Sequence, residues 1–238
     1  PLGLHQPIRE IRRVVVEFLQ RVLLHLFRVH GDFVVDVRAR RVRDPAHDDD
    51  LVLQPSMPVQ SPPGLQRLGA KSILTNDPKV IKAAEKVIFP GQCAAGSAMR
   101  KLKGTGLDKL IPILNQPVLG ICLGMQLLCE ATEEGEVNGL GIIKEKVIRF
   151  SNQVKVPQMG WNNIYKLQLP LFKGIKEGDF MYLVHSFYVP VIKETIAQSD
   201  YGEPYSVALK KNNFYGVQFH PEKSSKSGSQ LLKNFLAL

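Results

Sequence analysis

From residue 65 onward the apolar residues fall in short blocks separated by turn residues, the spacing of alternating strands and helices. Residues 72–75 read as a strand, 78–84 as a helix with Asp77 as its cap, and 86–89 as a second strand. A helix starts over 97–103, Gly104 and Gly106 break it, and 107–114 leads into a third strand, 118–121. That strand is wholly apolar, as suits burial on both faces. Residues 123–130 have the composition of a following helix. The order strand, helix, strand, helix, strand predicts a parallel sheet. Beyond Glu130 the blocks shorten to strand-like pieces at 142–150, 162–167, 179–189, 195–199, 206–210 and 214–219, with Gly or Asn in the turns. These fit added antiparallel strands, and 228–238 forms a closing helix.

Residues 1–64 follow a different pattern. Residues 8–29 are rich in Val, Leu and Arg and predict a basic amphipathic helix, although Glu10, Glu17 and the lack of Ser there argue against a transit peptide. Residues 33–37 predict a strand and 44–50 a charged loop. Pro55, Pro58, Pro62 and Pro63 make 54–64 a linker, because closely spaced prolines interrupt helices and sheet ladders alike. The composition shifts at the same place. Ten arginines and no lysine occur up to Arg67, against nineteen lysines and two arginines afterwards, and Thr, Tyr and Asn are absent before Thr75. The expected organisation is an atypical segment, 1–64, joined from a non-native reading frame or a different compositional background, and one α/β domain, 65–238.

Composition narrows the class of protein. The chain of 238 residues is 44% hydrophobic and 22% charged, ordinary values for a globular fold, and its apolar runs are too short for a membrane span. A formal charge of +9 raises the question of a nucleic-acid partner, yet the basic residues are dispersed and no nucleic-acid motif accompanies them. A basic face that meets an acidic partner or a phosphorylated substrate is the milder reading. Three cysteines, an odd number, argue for a reducing, cytoplasmic setting without a disulfide framework. No metal-ligand cluster and no cofactor motif are visible.

One of those cysteines carries the candidate chemistry. Cys122 lies at the predicted strand-to-helix turn with Gly120 and Gly124 two residues to either side, the spacing of a nucleophile elbow. The following helix directs free N–H groups at the sulfur. A cysteine nucleophile needs a base and a group that orients the base. Gln218-Phe219-His220-Pro221-Glu222 supplies both at a strand end, since residues two apart on an extended chain point the same way and Pro221 keeps His220 out of helical geometry.

The elbow and the His-Pro-Glu segment together resemble the class I, Cys-His-Glu glutamine amidotransferases. Further motifs make the chain similar to the glutaminase subunits of imidazole glycerol phosphate synthase: Leu68-Gly69-Ala70, Phe89-Pro90-Gly91, Val156-Pro157-Gln158-Met159-Gly160-Trp161-Asn162, and His185-Ser186-Phe187-Tyr188-Val189. The resemblance covers 65–238. It implies a flavodoxin-like α/β fold, a mostly parallel central sheet with helices on both faces. It also implies hydrolysis of L-glutamine at Cys122, His220 and Glu222, without cofactor or metal. Gln126, His185, Ser186 and Phe187 are implied to bind glutamine, and Gly91, Gln92, Cys93 and Leu123 to surround the oxyanion. Gln158, Met159 and Trp161 are implied to face a cyclase subunit in a heterodimer, which receives the ammonia for histidine biosynthesis.

This chain departs from the family pattern in three places. Cys93 stands where the oxyanion loop usually has a second glycine, and Gln158 where relatives commonly have His. Relatives also open with a buried strand, a Gly-Asn turn and a helix, of which only Gly64-Leu65-Gln66-Arg67-Leu68-Gly69 is recognisable. Either the strand predicted over 33–37 fills that slot or the slot stays open. Two rival readings remain at this point, another Cys-His-Glu amidotransferase such as the glutaminase subunit of pyridoxal phosphate synthase, and a non-catalytic subunit that keeps only the cyclase contact.

Overall fold

The computed structural model describes residues 34–38, 65, 68, 70–91 and 94–238. The elements expected within 8–29, 44–50 and 54–64 lie outside these residues. In chain order the described elements begin with β1 (Val34–Arg38), β2 (Lys71–Thr75), α1 (Pro78–Ala83), β3 (Val87–Gly91), α2 (Ala95–Thr105) and α3 (Leu107–Leu110). A 3-10 turn leads to β4 (Val118–Cys122), α4 (Leu123–Leu128), β5 (Cys129–Thr132), β6 (Val137–Asn138), β7 (Ile143–Arg149) and β8 (Gln158–Asn163). The remainder is β9 (Phe180–His185), β10 (Phe187–Pro190), β11 (Thr195–Asp200), β12 (Pro204–Lys211), β13 (Phe214–Val217) and α5 (Ser225–Leu236). Among the described residues no helix is long and apolar enough to cross a membrane.

Local chemistry accounts for the boundaries. Asp77 caps α1 by accepting from the Lys79 N–H at 2.8 Å. Helix α2 runs through Gly104 and ends one residue before Gly106, whose left-handed φ of 72° lets its N–H reach the Leu102 and Lys103 carbonyls. Only the second glycine of the pair breaks the helix, because only it takes the left-handed conformation. Helix α4 is shorter than the composition of 123–130 suggests. Cys129 leaves it in extended geometry and pairs in parallel with Ile143, so the sheet takes the last turn. The block 179–189 forms two strands parted at Ser186, with β9 paired to β8 and β10 to β7 and β12. The strand expected at 162–167 lies further upstream as β8, and Tyr165 keeps a single bridge to Gln198.

The main sheet is mixed, in the order β2-β1-β3-β4-β13-β12-β10-β7-β5-β6, with β11 on β12 and a separate β8-β9 hairpin. Parallel pairing is confined to β3-β4, β4-β13 and β5-β7, a smaller share than the family fold implies. Strand β1 is one reason. It lies between β2 and β3 and runs antiparallel to both, over five residues against β2 but only Val35↔Ile88 and Asp36↔Val87 against β3.

Helical elements cover both faces of the central strands. Along β3 and β4, alternate residues enter opposite cores. Val87, Phe89 and Val118 join Ile81, Met99, Leu102 and Met125 from α1, α2 and α4. Ile88, Leu119 and Ile121 join Leu231, Leu232 and Phe235 of α5, with Met181 and Leu183 of β9. Burying each such side chain contributes about 1.5–3 kcal/mol, which fixes the C-terminal ends of β3, β4 and β13 side by side.

Candidate active site

Cys122 ends β4 and precedes α4 with φ 55° and ψ −113°, a conformation that costs a residue with a Cβ about 1–3 kcal/mol. Its glycine neighbours make the turn possible. A Cβ on Gly120 would lie 2.7 Å from the Gly124 carbonyl oxygen, and one on Gly124 would collide with the carbonyl oxygen of Phe89. Gly91, in register with Cys122 on the next strand, serves the same end. A Cβ there would lie 2.6 Å from Leu123 Cβ and 2.7 Å from the Gly124 amide nitrogen. The backbone at the start of α4 is therefore closely flanked by a residue without a side chain. Gln92 and Cys93 lie outside the described residues.

His220 and Glu222 come to the sulfur from the end of β13. His220 Nδ1 lies 2.9 Å from Glu222 Oε1, and the ring is close enough to Cys122 for the sulfur to raise its pKa. Burial by itself favours the neutral ring, but the hydrogen bonds and charges of Cys122 and Glu222 prevail, and the His220 pKa is pushed up to about 10. Burial also disfavours a charged Glu222, yet the His220 hydrogen bond holds its carboxyl below the usual value. The pair is positioned from β9. The His220 N–H donates to the Tyr182 carbonyl at 2.9 Å, the Tyr182 N–H to Ser224 Oγ at 3.0 Å, and that hydroxyl to the His220 carbonyl at 2.7 Å.

Of the residues expected to bind glutamine, Gln126 and His185 converge on one backbone group. Gln126 Nε2 and His185 Nδ1 both donate to the Phe187 carbonyl, at 3.0 and 2.8 Å. Burial, followed by the nearby charge of His220, outweighs that hydrogen bond and lowers the His185 pKa to about 4, so its ring is neutral near pH 7. The Val184 carbonyl lies 3.8 Å from Cys122 Sγ, and Ser186, half-buried at the break between β9 and β10, accepts from the Phe150 N–H at 3.1 Å. Of this segment, the Val184 carbonyl is the group placed against the sulfur.

The three residues expected at a partner surface divide. Met159 and Trp161 are 65% and 52% exposed on one face of β8. Gln158 is not on that surface; it is buried on the opposite face, where Tyr205 donates its hydroxyl to Oε1 at 2.8 Å. Strand alternation is the reason, since neighbours one apart point to opposite sides.

Two residues near the sulfur were absent from the sequence-based set. Gln218 Nε2 donates to Cys122 Sγ at 3.7 Å, and Lys223 Nζ lies 5.7 Å over the Tyr182 ring, close enough to feel the charges of Glu222 and Cys122. Strand alternation relates Gln218 to His220, whereas Glu222 reaches the ring from a 3-10 turn, Pro221–Lys223, and not from the extended chain that the sequence suggested.

Comparison with known proteins agrees with this geometry. The family model described as glutamine amidotransferase class-I matches residues 69–238. The subunit HisH of imidazole glycerol phosphate synthase from Bacteroides thetaiotaomicron is 54% identical over 177 residues, which span 73% of this chain and 90% of that protein. The protein of the same name from Escherichia coli K12 is 46% identical over the same spans. A crystal structure of a glutamine amidotransferase superposes with a TM-score of 0.57 at 17% identity, over 73% of this chain and 89% of that one, a likeness of fold. A strand-to-helix cysteine, a buried histidine paired with a glutamate and these matches lead to one assignment: the chain belongs to the class-I glutamine amidotransferase family, among the HisH sequences.

Proposed function

We propose that this chain is the glutaminase subunit of an imidazole glycerol phosphate synthase, hydrolysing L-glutamine and passing the ammonia to a cyclase subunit. The observation that carries the reading is the Cys122 elbow at the end of β4 together with a His220 that Glu222 holds at 2.9 Å and that responds to the sulfur. Cys122 Sγ attacks the side-chain amide carbonyl of glutamine, and the proton that it gives up is held by His220. The Leu123 N–H and the loop of Gly91, Gln92 and Cys93 stabilise the oxyanion. His220 then delivers its proton to the leaving nitrogen, ammonia departs, and a glutamyl thioester remains on Cys122. Water cleaves the thioester and releases glutamate. Gln126, His185 and the Ser186–Phe187 backbone line the glutamine pocket. Met159 and Trp161 form part of the surface that meets the cyclase, where an exposed tryptophan suits an anchor role.

The test is covalent trapping. A diazoketone analogue of glutamine is expected to add its mass to the peptide that carries Cys122 and to stop ammonia release. Modification elsewhere with Cys122 unlabelled would overturn the reading.

A further inference from the structure

We propose that Gln218 is a positioning residue for the nucleophile: its side-chain amide holds the Cys122 sulfur in place and ties it to Gln126. The inference rests on the reading of Cys122 as the nucleophile. Gln218 is completely buried between β13 and His220, and its backbone N–H donates to the Val207 carbonyl at 2.8 Å.

The direction of the side-chain contacts is forced. The Phe187 carbonyl oxygen can only accept, so the Gln126 atom 3.0 Å from it is the amide nitrogen. The second hydrogen of that nitrogen goes to Gln218, which presents Oε1 to it at 3.0 Å. The other end of the Gln218 amide, Nε2, is then left to donate to Cys122 Sγ at 3.7 Å, a separation that suits the larger sulfur atom. Reversing either amide would set like groups against one another in a buried site, which is costly.

The row is held at its far end as well. His185 Nδ1 donates to the same Phe187 carbonyl, and the Tyr205 hydroxyl lies 3.4 Å from His185 Nε2 and donates to Gln158. Gln218 is therefore a fixed donor with little freedom to turn. A fixed N–H limits the positions of the sulfur and interacts more strongly with a thiolate than with a neutral thiol. Because the same amide receives Gln126, the nucleophile and a glutamine-contacting side chain are aligned by one group.

Gln218→Glu tests this, since it keeps the size and the acceptor toward Gln126 but replaces the N–H with an oxygen. The full chain and the variant are compared for ammonia release from L-glutamine and for alkylation of Cys122 by iodoacetamide, followed by mass spectrometry of its peptide. The expected result is a kcat about 10-fold to 100-fold lower with KM changed by less than about threefold, the size of a lost hydrogen bond to a charged group, and alkylation slowed in step. Unchanged kcat and alkylation would overturn the proposal, as would a raised KM at unchanged kcat. Gln218→Met, which removes both polar atoms without adding charge, is measured beside it and decides by the same criteria if the Glu variant does not fold. Cys122→Ala separates the two readings. Retained turnover there sinks the nucleophile, whereas a dead Cys122→Ala beside an unimpaired Gln218→Glu sinks only the role of Gln218.

Discussion

At the scale of single residues, the proton on His220 is the sensitive quantity. Burial opposes its charge, and Cys122 and Glu222 restore it, which leaves a pKa of about 10 in place of 6.5. A raised histidine stabilises the fold fully below about pH 6.5 and loses that contribution as pH rises through about 10. The depressed Glu222 has the opposite dependence, contributing above its usual 4.5 and losing that contribution on acidification. Removing the carboxylate charge by Glu222→Gln weakens the hold on the His220 proton. The alkaline limb of glutaminase activity is therefore expected to move to lower pH, with kcat reduced about tenfold or more. A pH profile of kcat checks this, and an unshifted alkaline limb would show that Glu222 does not support His220.

At the scale of elements, the β8-β9 hairpin joins the exposed face to the segment that carries His220. Trp161 is in register with Tyr182, their rings 6.0 Å apart, and Tyr182 holds His220 and Ser224 through its backbone. Trp161→Ala is expected to weaken association with the cyclase by about 30-fold, the effect of a typical aromatic anchor, while leaving the melting temperature of the isolated chain nearly unchanged. Isothermal titration against the cyclase measures it, and unaltered affinity would move the partner surface elsewhere. The elbow, the strand-end histidine and its glutamate were legible in the sequence because each depends on spacing within a few residues. Gln158 was misjudged because its motif carries exposed Met159 and Trp161 on one face and a buried amide on the other. The early end of α4 at Leu128 was hidden for another reason, since the pairing that competes for Cys129 comes from Ile143. Alternation can set Gln218 on the side of His220, but its contact with Cys122 spans 96 residues of sequence and comes from the fold.

At the scale of the whole molecule, β1 lies between β2 and β3 and is antiparallel to both. It meets β3 through two residue pairs and runs against the direction of the parallel strands beside it. The β3 residues that it pairs with, Val87 and Ile88, are buried all the same, so the short pairing gives up ladder contacts rather than cover. The family match begins only at residue 69. Replacing residues 1–64 with a family-like strand and helix is expected to raise the thermal midpoint by several degrees, since each kcal/mol gained shifts it about 2–4 °C in a chain of this size. Equal midpoints, or a higher one for the chain as it stands, would make 1–64 a true structural part. The two-subunit reaction bears on the central claim most directly. Cys122→Ala is to be assayed with the cyclase and its nucleotide substrate, once with glutamine and once with ammonium salt as the nitrogen source. Loss of glutamine-dependent synthesis by about 10³-fold or more, with ammonia-dependent synthesis intact, is the predicted result; near-full glutamine-dependent turnover would contradict it.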